Sequence, residues 1–91
     1  MTLTYANLRI ELPFISSKKE RRAIINSIKD RLSRLNCSIL DISGEYPKEA
    51  EIAITFLAKD KQSSISKIEK IETLLEKKFP EITITLTYDF I

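Results

Sequence analysis

Histidine and tryptophan are absent from this chain of 91 residues, and glycine and cysteine occur once each, as Gly44 and Cys37. Without histidine, the side chain that most readily serves as a general base near neutral pH is missing. One glycine cannot build a glycine-rich phosphate loop. A lone Cys37 excludes an internal disulfide, and nothing points to an oxidising compartment. No His/Cys cluster or spaced set of acids offers a metal site. Apolar runs are all too short to span a bilayer. Residues 1–7 lack a basic stretch followed by a long apolar one, so no signal peptide is expected. These absences lead us to expect a cytosolic, non-enzymatic protein with no cofactor and no membrane partner. With three prolines and no low-complexity tract, one folded domain over residues 1–91 is expected.

What the chain does have is a concentration of positive charge. Between Ser17 and Asn36 stand Lys18, Lys19, Arg21, Arg22, Lys29, Arg31 and Arg34, against only Glu20 and Asp30. Seven bases minus two acids give +5, whereas the other 71 residues hold eight bases and eleven acids and sum to −3. The overall net charge of +2 conceals this asymmetry. A basic segment on an acidic body is the pattern of a docking surface for a polyanion.

Hydrophobic periodicity places that segment on a helix. Ser17 followed by Glu20 forms a capping box. Ile24, Ile25, Ile28, Leu32 and Leu35 then recur at helical spacing, and Asn36 is a suitable left-handed stop. Before it, Leu8, Ile10 and Leu12 alternate with polar residues as a half-buried strand does, and Pro13 closes it. Leu3 and Tyr5 have the opposite parity, which either a bulge or a change of environment near Ala6–Asn7 would explain. Cys37–Ile42 reads as a second strand, Gly44–Lys48 as a turn, and Ile52, Ile54 and Phe56 as the inward face of a third strand. Asp60 caps a second helix whose apolar face is Ile65, Ile68, Ile71, Leu75 and Phe79, with Pro80 ending it. The last strand turns Ile82, Ile84, Leu86, Tyr88 and Phe90 inward and Thr83, Thr85, Thr87 and Asp89 outward. The order βαββαβ predicts an α+β, ferredoxin-like fold: a four-stranded antiparallel sheet with both helices on one face.

The residues from Ser17 to Leu32 resemble the S-L-K-D-K-R-R-V-L-K-S-L-K-D-R-L helix of the bacterial YlxP-like family. Asn36–Ile42 is similar to that family's N-V-S-V-A-E-V strand, and Leu8–Pro13 to its first strand. Lys19, Arg22, Ser27, Lys29, Asp30 and Arg31 match the helix motif, while Glu20 and Arg21 replace residues of like charge. Lys18 and Ala23 depart from it, and the loop after Ile42 is shorter. The resemblance implies a ferredoxin-like fold. Through the family's gene neighbourhoods of translation-initiation and ribosome-maturation factors, it also implies a link to RNA or ribosomal particles.

At about 100° per residue, Lys18, Arg22 and Lys29 share one helical stripe, with Arg31 and Arg34 on the other flank. Four cations crowd the first turns, where the helix dipole disfavours positive charge by about 0.3–1 kcal/mol each. A bound anion would offset that cost, although a solvated face explains the same residues. The candidate RNA- or anion-binding set is therefore Lys18, Lys19, Arg21, Arg22, Lys29, Arg31 and Arg34. Arg21 falls on the apolar side, with Glu11 and Asp41 as candidate internal partners. RNA-binding modules of this topology stack bases on aromatics of the two central strands. The outward positions Asn7, Arg9, Glu11, Ala53, Thr55 and Leu57 supply none, so contact to backbone and shape is expected instead. The rival readings are a module docking an acidic protein, a homodimer through the threonine-rich sheet face or an edge, and a small-ligand regulatory domain.

Overall fold

A computed structural model describes all 91 residues. The elements are β1 (Thr2–Glu11), α1 (Lys18–Ser33), β2 (Ser38–Asp41), β3 (Glu49–Ala58), α2 (Lys61–Lys78) and β4 (Thr83–Phe90). The sheet runs β2-β3-β1-β4 with every neighbouring pair antiparallel. This is the ferredoxin-like arrangement expected from the βαββαβ order.

Local chemistry sets the helix ends. Ser17 Oγ accepts the Glu20 N–H at 3.2 Å, and Asp60 Oδ1 accepts the Ser63 N–H at 2.8 Å. The Glu20 carboxylate accepts the Ser16 hydroxyl at 3.0 Å, and so holds the helix start from its own side chain. After α1 the chain reverses at Asn36, whose φ of 61° lies in the left-handed region that asparagine tolerates.

One core of 15 buried residues lies between the helices and the central strands. Ala6, Leu8 and Ile10 of β1 and Ala50, Ile52, Ile54 and Phe56 of β3 meet Ile25, Ile28 and Leu32 of α1 and Ile68, Ile71 and Leu75 of α2. Each fully buried Ile or Leu contributes about 1.5–3 kcal/mol of transfer free energy. Both helices therefore cover one face and leave the other open.

β1 contains no bulge, so of the two explanations for its parity the change of environment remains. It pairs with β3 residue for residue from Thr2–Ala58 to Glu11–Glu49. Its inward positions begin at Thr4, which is fully buried, and Leu3 and Tyr5 face the open side. The Thr4 hydroxyl is satisfied by that of Ser64 on α2, 2.5 Å away and also fully buried. A polar residue occupies a core position because its partner sits 60 residues along the chain. In β4 the inward row is only partly covered, and Tyr88 is 42% exposed.

Candidate functional site

The cations of α1 divide between two flanks. Toward β2, Lys18 Nζ pairs with Glu45 Oε2 in the β2–β3 loop. Arg21 Nη1 donates to the carbonyls of Tyr46 and Glu49, at 2.9 Å each. It makes no hydrogen bond or close ion pair with Glu11 or Asp41, although Asp41 feels its charge. Nearby, Lys48 Nζ donates to the carbonyls of Pro13 and Ile15 at 2.8 and 2.5 Å. Arg21 and Lys48 thus fasten the β2–β3 loop to the start of α1 and to the loop before it. Burial pushes the Asp41 carboxyl up, but the hydroxyl and N–H of Ser43, with Arg21 and Lys29 adding attraction, outweigh it and leave the carboxyl below its ordinary value. Glu45 is likewise held low, first by the hydrogen bond from Lys18 and then by the charge of that ammonium. On this side positive charge is largely answered from within the molecule. Lys19 and Arg22 stand exposed further round the helix.

The α2-facing flank differs. Two adjoining hollows of about 390 and 510 Å³ run between the helices, sharing Arg34 and Leu35. The first is lined also by Asp30, Arg31, Leu74 and Lys78, the second by Asn36, Ser63, Ser66, Lys67 and Lys70. Five cations, Arg31, Arg34, Lys67, Lys70 and Lys78, therefore face one groove with a single acid, Asp30.

Several of these cations are held in place. Arg31 Nη1 donates to Ser27 Oγ at 2.5 Å and to the Ser27 carbonyl at 3.3 Å, with its guanidinium carbon 5.2 Å from the centre of the Phe79 ring. Arg34 Nη2 bonds Asp30 Oδ2 at 3.0 Å. Lys67 Nζ donates to the Asn36 carbonyl at 3.3 Å and lies 4.7 Å from the centre of the Phe56 ring. Lys70 and Lys78 have no carboxylate partner.

The dipole of α1 favours Arg31 and Arg34 at its C-terminal end. Lys78 is likewise favoured in the last turn of α2, but no dipole favours Lys67 and Lys70, directed at the same space. Like charges gathered there repel, and a string of phosphates would turn that repulsion into attraction. Two of the seven residues nominated from sequence, Arg31 and Arg34, line this groove, and Lys18, Lys19, Arg21, Arg22 and Lys29 do not. Sequence reasoning misses Lys67, Lys70 and Lys78. Their signal is nonetheless present, since they fall within about 80° of one another around α2.

The open sheet face has one aromatic that the outward set read from the sequence, beginning at Asn7, omits. Tyr5 points outward from central β1, half-buried, opposite Thr55 of β3. The outward residues of β3 are Glu49, Glu51, Ala53, Thr55 and Leu57, so a second stacking position is still missing. Cys37 is half-buried beside the groove. Burial pushes its thiol up, with Lys67 pulling the other way, so the thiolate is disfavoured.

No helix is long and apolar enough to cross a membrane. No curated protein matches the sequence. Among solved structures, the chain is similar to the de novo designed protein Foldit4 at 15% identity and a TM-score of 0.61, over 96% of both chains. It is similar to a second de novo design with a ferredoxin fold, LFR1 1, at 22% identity and a TM-score of 0.59, over 97% of this chain and 85% of that one. A dimeric ferredoxin-like protein from an uncultured marine organism matches at 14% identity and a TM-score of 0.51, over 99% and 93%. These likenesses establish the fold alone. Residues 3–88 match the family described as "Protein of unknown function (DUF503)". The chain belongs to that family of unknown function, with a ferredoxin-like fold.

Proposed function

We propose that this is a cytosolic, non-enzymatic accessory protein that binds RNA, ribosomal RNA first, by its phosphate backbone. The observation that carries the reading is the convergence of Arg31, Arg34, Lys67, Lys70 and Lys78 on one groove with only Asp30 to answer them. The similarity of the α1 motif to the YlxP-like family supports the ribosomal setting. A sheet with Tyr5 as the outward aromatic of its two central strands favours recognition of backbone and shape over stacked bases.

Phosphate binding releases counterions, so affinity falls by about 0.7–0.9 log units per neutralised phosphate for each tenfold rise in salt. The native protein should therefore sediment with ribosomal particles on gradients at low salt and leave them at high salt. Retention in high salt, or absence from those fractions at low salt, overturns the proposal. The same groove is chemically suited to an acidic protein. Partners captured from lysate that survive nuclease treatment would favour that second reading.

A further inference from the structure

The two edges of the sheet are unequal. β2 is only four residues long, and short edge strands resist further pairing. β4 runs for eight residues with no lysine, proline or bulge and with Asp89 as its one charge. The Ile91 N–H donates to the Leu3 carbonyl at 2.8 Å. In an antiparallel ladder hydrogen-bonded pairs alternate. Thr83, Thr85, Thr87 and Asp89 therefore direct their backbone groups to β1, and Ile84, Leu86, Tyr88 and Phe90 direct theirs to the free edge. The apolar side of this edge is also undercovered. From Thr4 to Ile10 of β1 and from Ala50 to Phe56 of β3 the inward residues are at most 4% exposed, whereas none in β4 is fully buried.

We propose that a second copy of this chain pairs its β4 antiparallel with this β4, about a two-fold axis at Leu86. The strand is self-complementary in that register. Leu86 meets the second copy's Leu86, Ile84 meets Tyr88, Thr85 meets Thr87, and Thr83 meets Asp89. The residues brought into hydrogen-bonded pairs are those with free backbone groups. The lone carboxylate faces a threonine instead of its own copy. Lys61, 5.5 Å from the centre of the Phe90 ring, marks the flank of α2 that overlies β4. Glu72 and Glu76 follow on that flank toward the other end of the helix. Antiparallel helices across the axis bring Lys61 of each copy toward the acidic end of the other. The basic groove lies on the opposite flank of α2 and stays open in the dimer.

Light scattering or sedimentation equilibrium should give twice the 10.5 kDa chain mass. Tyr88→Pro removes an N–H that serves only the free edge, so it should yield a monomer with unchanged circular dichroism. Should that variant unfold, Thr85→Lys with Thr87→Lys decides, since it sets lysines opposite one another across the seam without touching the core. A monomeric wild type at the highest soluble concentration overturns the proposal. So does a folded Tyr88→Pro variant, or the double lysine variant, that remains dimeric.

Discussion

On its β2 side, α1 presents Lys18, Arg21 and Lys29 to Glu45, Asp41 and the carbonyls of a loop. On its α2 side it presents Arg31 and Arg34 to three lysines of the neighbouring helix. The residues are of one chemical kind, and their surroundings give them opposite roles. Lys18 and Arg21 hold a loop and Lys29 lies within reach of the Asp41 charge, so the first group has little attraction left for an external anion. In the second, the charges reinforce one another. A basic helix is thus not a uniform surface, and on the function proposed above the binding side is the one where the rest of the fold adds cations.

The largest expected effect tests this division directly. Lys67→Glu with Lys70→Glu should weaken RNA binding by at least tenfold. It should also flatten the salt dependence, because each lysine that no longer neutralises a phosphate takes about 0.7–0.9 from the log–log slope. Lys19→Glu with Arg22→Glu makes the same change of charge away from the groove and should cost much less. Filter binding of both pairs across a salt series measures the contrast. Equal effects of the two pairs would erase the distinction between the flanks and return the site to the whole of α1.

Next in size is Arg21→Ala. It removes two bonds from a charged donor to backbone carbonyls at a partly exposed position, for a destabilisation of about 1–2 kcal/mol in urea unfolding. RNA affinity of the folded variant should stay within a factor of two of wild type. A large fall in affinity with unchanged stability would make Arg21 a ligand contact instead of a loop fastener.

Acid should act on the β2 side through the same groups. Asp41 and Glu45 are held below their ordinary values, as is Asp60 by the N–H and then the hydroxyl of Ser63. A lowered carboxyl stabilises the fold above its unfolded pKa, about 4, and loses that contribution as pH falls toward the lowered value. The melting temperature should hold above that range and decline below it. The smallest effect is local: in Lys18→Gln the Glu45 carboxyl should titrate closer to its ordinary value, as read by carbon NMR, with little change in melting.

Much of the architecture is legible in the sequence because it rests on short-range chemistry. Ser17 and Asp60 cap the helices as their positions predict, Asn36 stops α1, and periodicity finds the four strands in order. Two points are not legible for a common reason, which is that the partners are remote in the chain. Thr4 is polar and Leu3 and Tyr5 are apolar, so the pattern leaves a bulge and a change of environment both open at the start of β1. Only the bond to Ser64, 60 residues away, makes Thr4 a core residue. Arg21 is matched to carboxylates because charge is visible in a sequence, whereas the position of a carbonyl is not.

The sequence by itself determined the βαββαβ order, the helix ends and the excess of positive charge on α1. Each follows from residues a few positions apart, where periodicity and capping act. Only the tertiary structure decided which cations converge. Arg31 and Lys67 line adjoining hollows because packing α1 and α2 on one face of the sheet sets their flanks side by side. Electrostatic attraction for a polyanion depends on distance through space, and the fold fixes that distance.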